Sequence, residues 1–159
     1  MSVELFCWNG ETERSAATSR ALLKVWTASD LEALAFRFAP RCRICDVGAP
    51  WRVSGSEGAR ETLFRYLRAF PDLTITVEEA VVQGPRVAIV WIATGTHQGT
   101  LMNIPPTGRR VAVRGASVLR VRNEKIVRAL HLWDVAGLLR SLGLLPQLRG
   151  PEEGKGGEA

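Results

Sequence analysis

Thr94-Gly95-Thr96-His97-Gln98-Gly99, running on to Pro105-Pro106-Thr107-Gly108-Arg109-Arg110, is the stretch whose reading decides the fold. A histidine sits between two glycines where an apolar strand ends. Paired prolines stiffen the connection after it, and Gly108 lets the backbone turn into a second strand. The stretch therefore reads as two strands joined by a stiff, histidine-bearing loop.

Upstream, Gln83-Gly84-Pro85 turns the chain into a strand over 86–98. Val87, Ile89 and Trp91 fall on one face of it and Ala88, Val90 and Ile92 on the other, which predicts cover on both sides. Before that turn, Leu73, Ile75 and Val77 alternate with threonines, and Glu78-Glu79 interrupts the alternation as a bulge would. Downstream, 109–122 and 125–133 form a hairpin that turns at Asn123, a residue tolerant of left-handed backbone angles. A last helix spans 135–144.

The N-terminal half has the helical period instead. Ala16, Leu22, Leu23 and Trp26 place a helix over 12–26. Ser29 and Glu32 form a capping box for a second helix through Leu31, Leu34, Ala35 and Phe38, stopped by Pro40. A strand over 41–46 comes next. Ser54 and Glu57 open a third helix through Leu63, Phe64, Leu67 and Phe70, which Pro71-Asp72 ends. Helices first, then a long meander, is an α+β arrangement: helices on one face of a curved antiparallel sheet, with room for a cavity between them. The expectation is a single domain over residues 1–148 and a disordered Gly/Glu-rich tail over 149–159, which has nothing to bury.

The chain has 159 residues, 46% of them apolar, and a formal charge of +5. No apolar run is long enough to span a bilayer, and the N-terminus lacks a signal-peptide pattern, so a cytoplasmic location without membrane contact is expected. The arginines are scattered, with no basic block longer than Arg109-Arg110. That pattern suits a solvated surface and predicts no nucleic-acid partner. Three cysteines, Cys7, Cys42 and Cys45, include one CxxC spacing but no second ligand pair, so inert thiols are expected and no metal.

A turn centred on Asn123-Glu124 pairs Arg120 with Val127, Val118 with Ala129 and Ala116 with His131. Arg114, Arg120, His131 and Trp133 then share one face, lining either a pocket or a wet surface. Asp134 precedes the last helix. It is first of all a natural N-cap; the sharper reading, walled as it is by Trp133, Leu132 and Leu138, is a general acid or base. His97 either satisfies its loop or faces a cavity. There is no phosphate-cradling loop, nucleophile elbow or metal-spaced histidine pair, so no cofactor is called for.

Phe38-Ala39-Pro40, Phe70-Pro71-Asp72-Leu73, the two stretches quoted first, and Lys125-Ile126-Val127 ahead of Asp134 resemble the SnoaL-like polyketide (ester) cyclase family over roughly residues 15–146. The resemblance implies the nuclear-transport-factor-2-like fold, a cone of curved sheet and helices around a cavity. It also implies a homo-oligomer, dimer or tetramer, and no cofactor. In such cyclases an aspartate, here at the position of Asp134, removes a proton from a carbon flanked by carbonyls, and the enolate closes a ring by aldol addition. The expected function is acid/base chemistry on a small hydrophobic carbonyl compound: aldol cyclase, isomerase or dehydratase. His97, Arg120, His131, Trp133, Val118 and Trp91 are the substrate-contact candidates. The chain departs from the family at Cys45, where a histidine is common, and at Val118, which cannot hydrogen-bond an oxyanion. Those departures favour an alternative, a non-catalytic small-molecule-binding or interaction module on the same fold.

Overall fold

The structure is a computed structural model and describes residues 5–8, 17, 31–49 and 53–147. The helix expected over 12–26, the cap at Ser29 and the tail over 149–159 lie outside the described residues. Seven strands form one curved, unclosed sheet in the order β1-β4-β5-β6-β7-β2-β3. They are β1 (Leu5–Trp8), β2 (Phe38–Asp46), β3 (Val53–Ser54), β4 (Thr74–Gln83), β5 (Arg86–Thr96), β6 (Arg110–Arg122) and β7 (Lys125–Trp133). The helices are α1 (Leu31–Arg37), α2 (Gly55–Ala69) and α3 (Val135–Ser141). The central meander β4–β7 is antiparallel, as its alternation predicts, whereas β1 on β4 and β2 on β7 are parallel pairings.

Phe38 does not end a helix, as its spacing from Leu31 and Leu34 predicts; it begins β2, opposite Ile126, and is buried. The cause is Pro40, which forces the residue before it into extended backbone, so the helix stops earlier. Leu63 in α2 and Phe70 directly after it point inward as expected, but Phe64 is exposed beneath the Arg68 guanidinium, 5.9 Å from its ring. Tyr66 takes the inner place instead. Ser54 stands extended at the N-cap without a side-chain cap bond; Glu57 pairs with Arg60 at 3.0 Å.

The loop after β5 is tied to the end of α2. Gln98 and Gly99 both donate their N–H to the Ala69 carbonyl, satisfying an orphan acceptor of the helix C-terminus. A Cβ on Gly99 would collide with the Arg68 carbonyl oxygen. The loop then makes a tight turn through Met102 (φ 50°) and Asn103 (φ 66°), which holds Leu101 and Ile104 face to face and buries Leu101.

Two bulges shape the central meander. One, at Glu78, falls where the paired glutamates predict it, and there the two Glu78 carboxylate oxygens accept from Arg114 Nε and Nη2 at 2.8 and 3.0 Å. The other, at Val127, overturns the expected β6–β7 register. Arg122 faces Lys125 across a turn with Asn123 at φ 49° and Glu124 at φ 59°, yet Arg120 faces Arg128 rather than Val127. Beyond the extra residue, His131 pairs with Ser117 and Trp133 with Gly115. The inner face therefore carries Leu119, Val121, Ile126, Ala129, His131 and Trp133, while Arg114 and Arg120 lie on the outer face.

That outer face gathers charges the sequence scatters. Arg43, Arg128, Arg120 and Arg86 are consecutive cross-strand partners on β2, β7, β6 and β5, all exposed. Beside them Val81, Ala88, Val118 and Leu130 make an apolar row in the same way. No described element covers β5 on this side, where Val90 and Ile92 are half-buried. No helix among the described residues is long and apolar enough to cross a membrane.

Candidate active site

A cavity of about 120 Å³ lies between α2 and the inner sheet face, with Leu138 of α3 and Leu101 also in its lining. Its walls are mostly apolar, through residues such as Leu63, Phe70, Ile75 and Val113. The carboxylate on its wall is Asp46, the last residue of β2. Oδ1 of Asp46 accepts from the Trp133 indole N–H at 2.7 Å and from the Gly48 amide at 3.0 Å; Oδ2 accepts from the Tyr66 hydroxyl at 2.9 Å. The Trp133 indole rests where a Gly48 Cβ would be, so only glycine leaves room for it.

His131 lies beside Asp46 in the β2–β7 register. Its Nδ1 is 2.8 Å from Ser117 Oγ, which accepts the Trp91 indole N–H at 2.9 Å. The Trp91 ring covers Gly115, another position where a Cβ would collide with an indole. Burial pushes the His131 pKa down from 6.5 to about 4, against the opposing pull of Asp46. Burial, then the charge and hydrogen bond of Asp46, push the Tyr66 phenol up. At neutral pH the cavity thus holds an uncharged imidazole and an uncharged phenol around one carboxyl group.

Of the residues read from the sequence, Trp91, His131 and Trp133 meet in this cavity. Asp134 does not line it; the side chain is exposed, and Oδ1 accepts the Gly137 N–H at 2.7 Å as the N-cap of α3. His97 is buried outside the lining, its ring 5.3 Å from Phe70 and its Nδ1 accepting the Thr107 N–H at 3.3 Å. Burial lowers its pKa as well. Val118 and Arg120 are exposed on the opposite sheet face. Cys45 is likewise exposed on that side, next to Leu130. Asp46, Tyr66 and Ser117 escape a reading of the sequence alone. A signal exists for two of them: an aspartate two residues before a glycine at a strand end, and a tyrosine at helical spacing from Ala59, Leu63 and Phe70.

The sequence model of the SnoaL-like polyketide cyclases matches residues 16–142. Among solved structures, the chain is similar to AclR, a candidate hydroxylase from Streptomyces galilaeus, with 28% identity over 87% of this chain and 90% of that one and a TM-score of 0.75. It is similar to IdmH, a candidate polyketide cyclase from Streptomyces antibioticus, with 30% identity over 81% and 98% and a TM-score of 0.69. A protein of ketosteroid isomerase-like fold from Catenulispora acidiphila shares the architecture at 23% identity over 80% and 93%, with a TM-score of 0.69. No curated protein matches the chain.

Proposed function

Because the chain belongs to the SnoaL-like polyketide cyclase family, we propose that it is an acid/base enzyme for a small hydrophobic carbonyl compound, with Asp46 as the proton-transferring group. The observation that carries this reading is a carboxylate held by three donors on the wall of an apolar cavity. A carboxylate has about four acceptor positions, so one, on Oδ2, is left among the described contacts. A substrate C–H next to a carbonyl gives its proton to that position, and the electron pair moves onto the carbonyl oxygen. The enolate then adds to a second carbonyl of the same molecule or is reprotonated elsewhere, which gives aldol closure or isomerisation. The apolar walls fold and hold the substrate, and Tyr66 and Trp133 hold the carboxylate in one orientation.

The experiment is proton exchange at the α-carbon of 2-tetralone in D2O, followed by NMR. Asp46→Asn should slow enzyme-dependent exchange by about 10²–10⁴-fold, the usual contribution of a placed base. Asp134→Asn, which keeps a capping side chain, should leave it near wild type. If the loss follows Asp134 instead, the assignment to Asp46 falls. One observation favours a second reading, a binding module without turnover: three of the four acceptor positions of Asp46 are already filled. That reading requires 2-tetralone or a related ketone to bind with no exchange in wild type or either variant.

A further inference from the structure

Ser117 is buried, and the cavity lining does not include it, yet it touches two residues that the lining does include. Trp91 Nε1 is a donor only, so its 2.9 Å contact with Ser117 Oγ fills an acceptor position of the hydroxyl. The other close partner of Oγ is His131 Nδ1, at 2.8 Å. Were Nδ1 the protonated nitrogen, the hydroxyl hydrogen would have to find another acceptor, and the described contacts of Oγ offer none. A buried hydroxyl left without an acceptor is costly. The opposite arrangement satisfies the indole, the hydroxyl and Nδ1 together: the indole donates to Oγ, and Oγ–H donates to Nδ1.

We propose that Ser117 is a positioning residue which, with Trp91 filling its acceptor side, donates to Nδ1 of His131 and so keeps the imidazole proton on Nε2. His131 then meets the cavity as a neutral N–H donor, suited to a substrate carbonyl oxygen or to the enolate oxygen that forms when Asp46 takes the proton. Because burial keeps the ring uncharged at neutral pH, the tautomer alone decides whether His131 donates or accepts there. The geometry also argues against a serine-nucleophile triad. The Ser117 hydroxyl is buried behind the lining, and an imidazole this reluctant to take a proton is a poor general base. The substrate class rests on the acid/base reading above; the tautomer does not.

The test is the side-chain ¹H–¹⁵N correlation pattern of histidine-labelled protein at neutral pH without substrate. The chain has two histidines, so a His97→Gln variant assigns the signals. Wild type should show His131 with its proton on Nε2. Ser117→Ala should lose that preference and populate the Nδ1–H form, Ser117→Thr should restore it, and Trp91→Phe should weaken it. An Nδ1–H tautomer in wild type overturns the proposal without any variant, as does an unchanged tautomer in Ser117→Ala. If Ser117→Ala does not fold, Trp91→Phe and the wild-type spectrum decide. Nε2–H in wild type combined with unimpaired exchange by Asp46→Asn would overturn the catalytic reading and leave the tautomer assignment standing.

Discussion

Burial holds the His131 pKa at about 4, against 6.5 for the free side chain, so in mildly acidic solution the unfolded chain binds a proton that the folded chain refuses. Above pH 6.5 the ring is neutral in both states and contributes no pH dependence. Between pH 6.5 and 4 the unfolded state holds more protons, and stability falls as pH falls. The gap corresponds to about 3 kcal/mol by pH 4, with one pKa unit near 1.4 kcal/mol. Urea denaturation at pH 7 and pH 4 should show that loss, and His131→Gln should remove most of it. His97, lowered by burial too, acts with the same sign. The two aspartates differ in how visible they are. Asp134 stands before a helix among apolar residues, so sequence reasoning finds it. But capping and catalysis compete for the same oxygens, and Gly137 three residues on takes one of them. Asp46 has no periodic context, and the partners that give it a role, Tyr66 and Trp133, are 20 and 87 residues away.

At the level of elements, the strands of the meander and the helix α2 are legible because their periods are strong and their turns carry glycine, proline or asparagine. The single extra residue at Val127 is not. Valine is an ordinary strand residue, and the turn at Asn123-Glu124 lies where its residues predict, so nothing local announces the bulge. Its effect is nevertheless decisive for the site, because every side chain beyond it changes face. That is why His131 and Trp133 meet Asp46 instead of Arg114 and Arg120. The loop after β5, by contrast, is legible in its glycines. Gly99 crosses the last turn of α2 so closely that its Cα hydrogen occupies the space a methyl would need. Gly99→Ala should therefore cost about 1–3 kcal/mol, as overpacking does, read as a lower urea midpoint with an unchanged slope.

Across the whole molecule, the arginines that look scattered along the chain come together only when four strands align. Arg120 has Arg128 on one side and Arg86 on the other, and none of the three has a carboxylate partner among the described residues. Like charges directly opposite one another on a sheet are unfavourable, and salt screens them. Arg120→Gln should therefore raise stability at low ionic strength by roughly a few tenths of a kcal/mol, and the gain should shrink as sodium chloride is added, both measured by urea denaturation. The two indoles resting on Gly48 and Gly115 carry a different consequence. Trp91 and Trp133 are two of the five tryptophans in the chain, and each binds a polar group of the site through its ring N–H while its ring faces the cavity. Their ultraviolet emission depends on the polarity around those rings, so the protein carries its own optical gauge of whether the cavity is wet or filled.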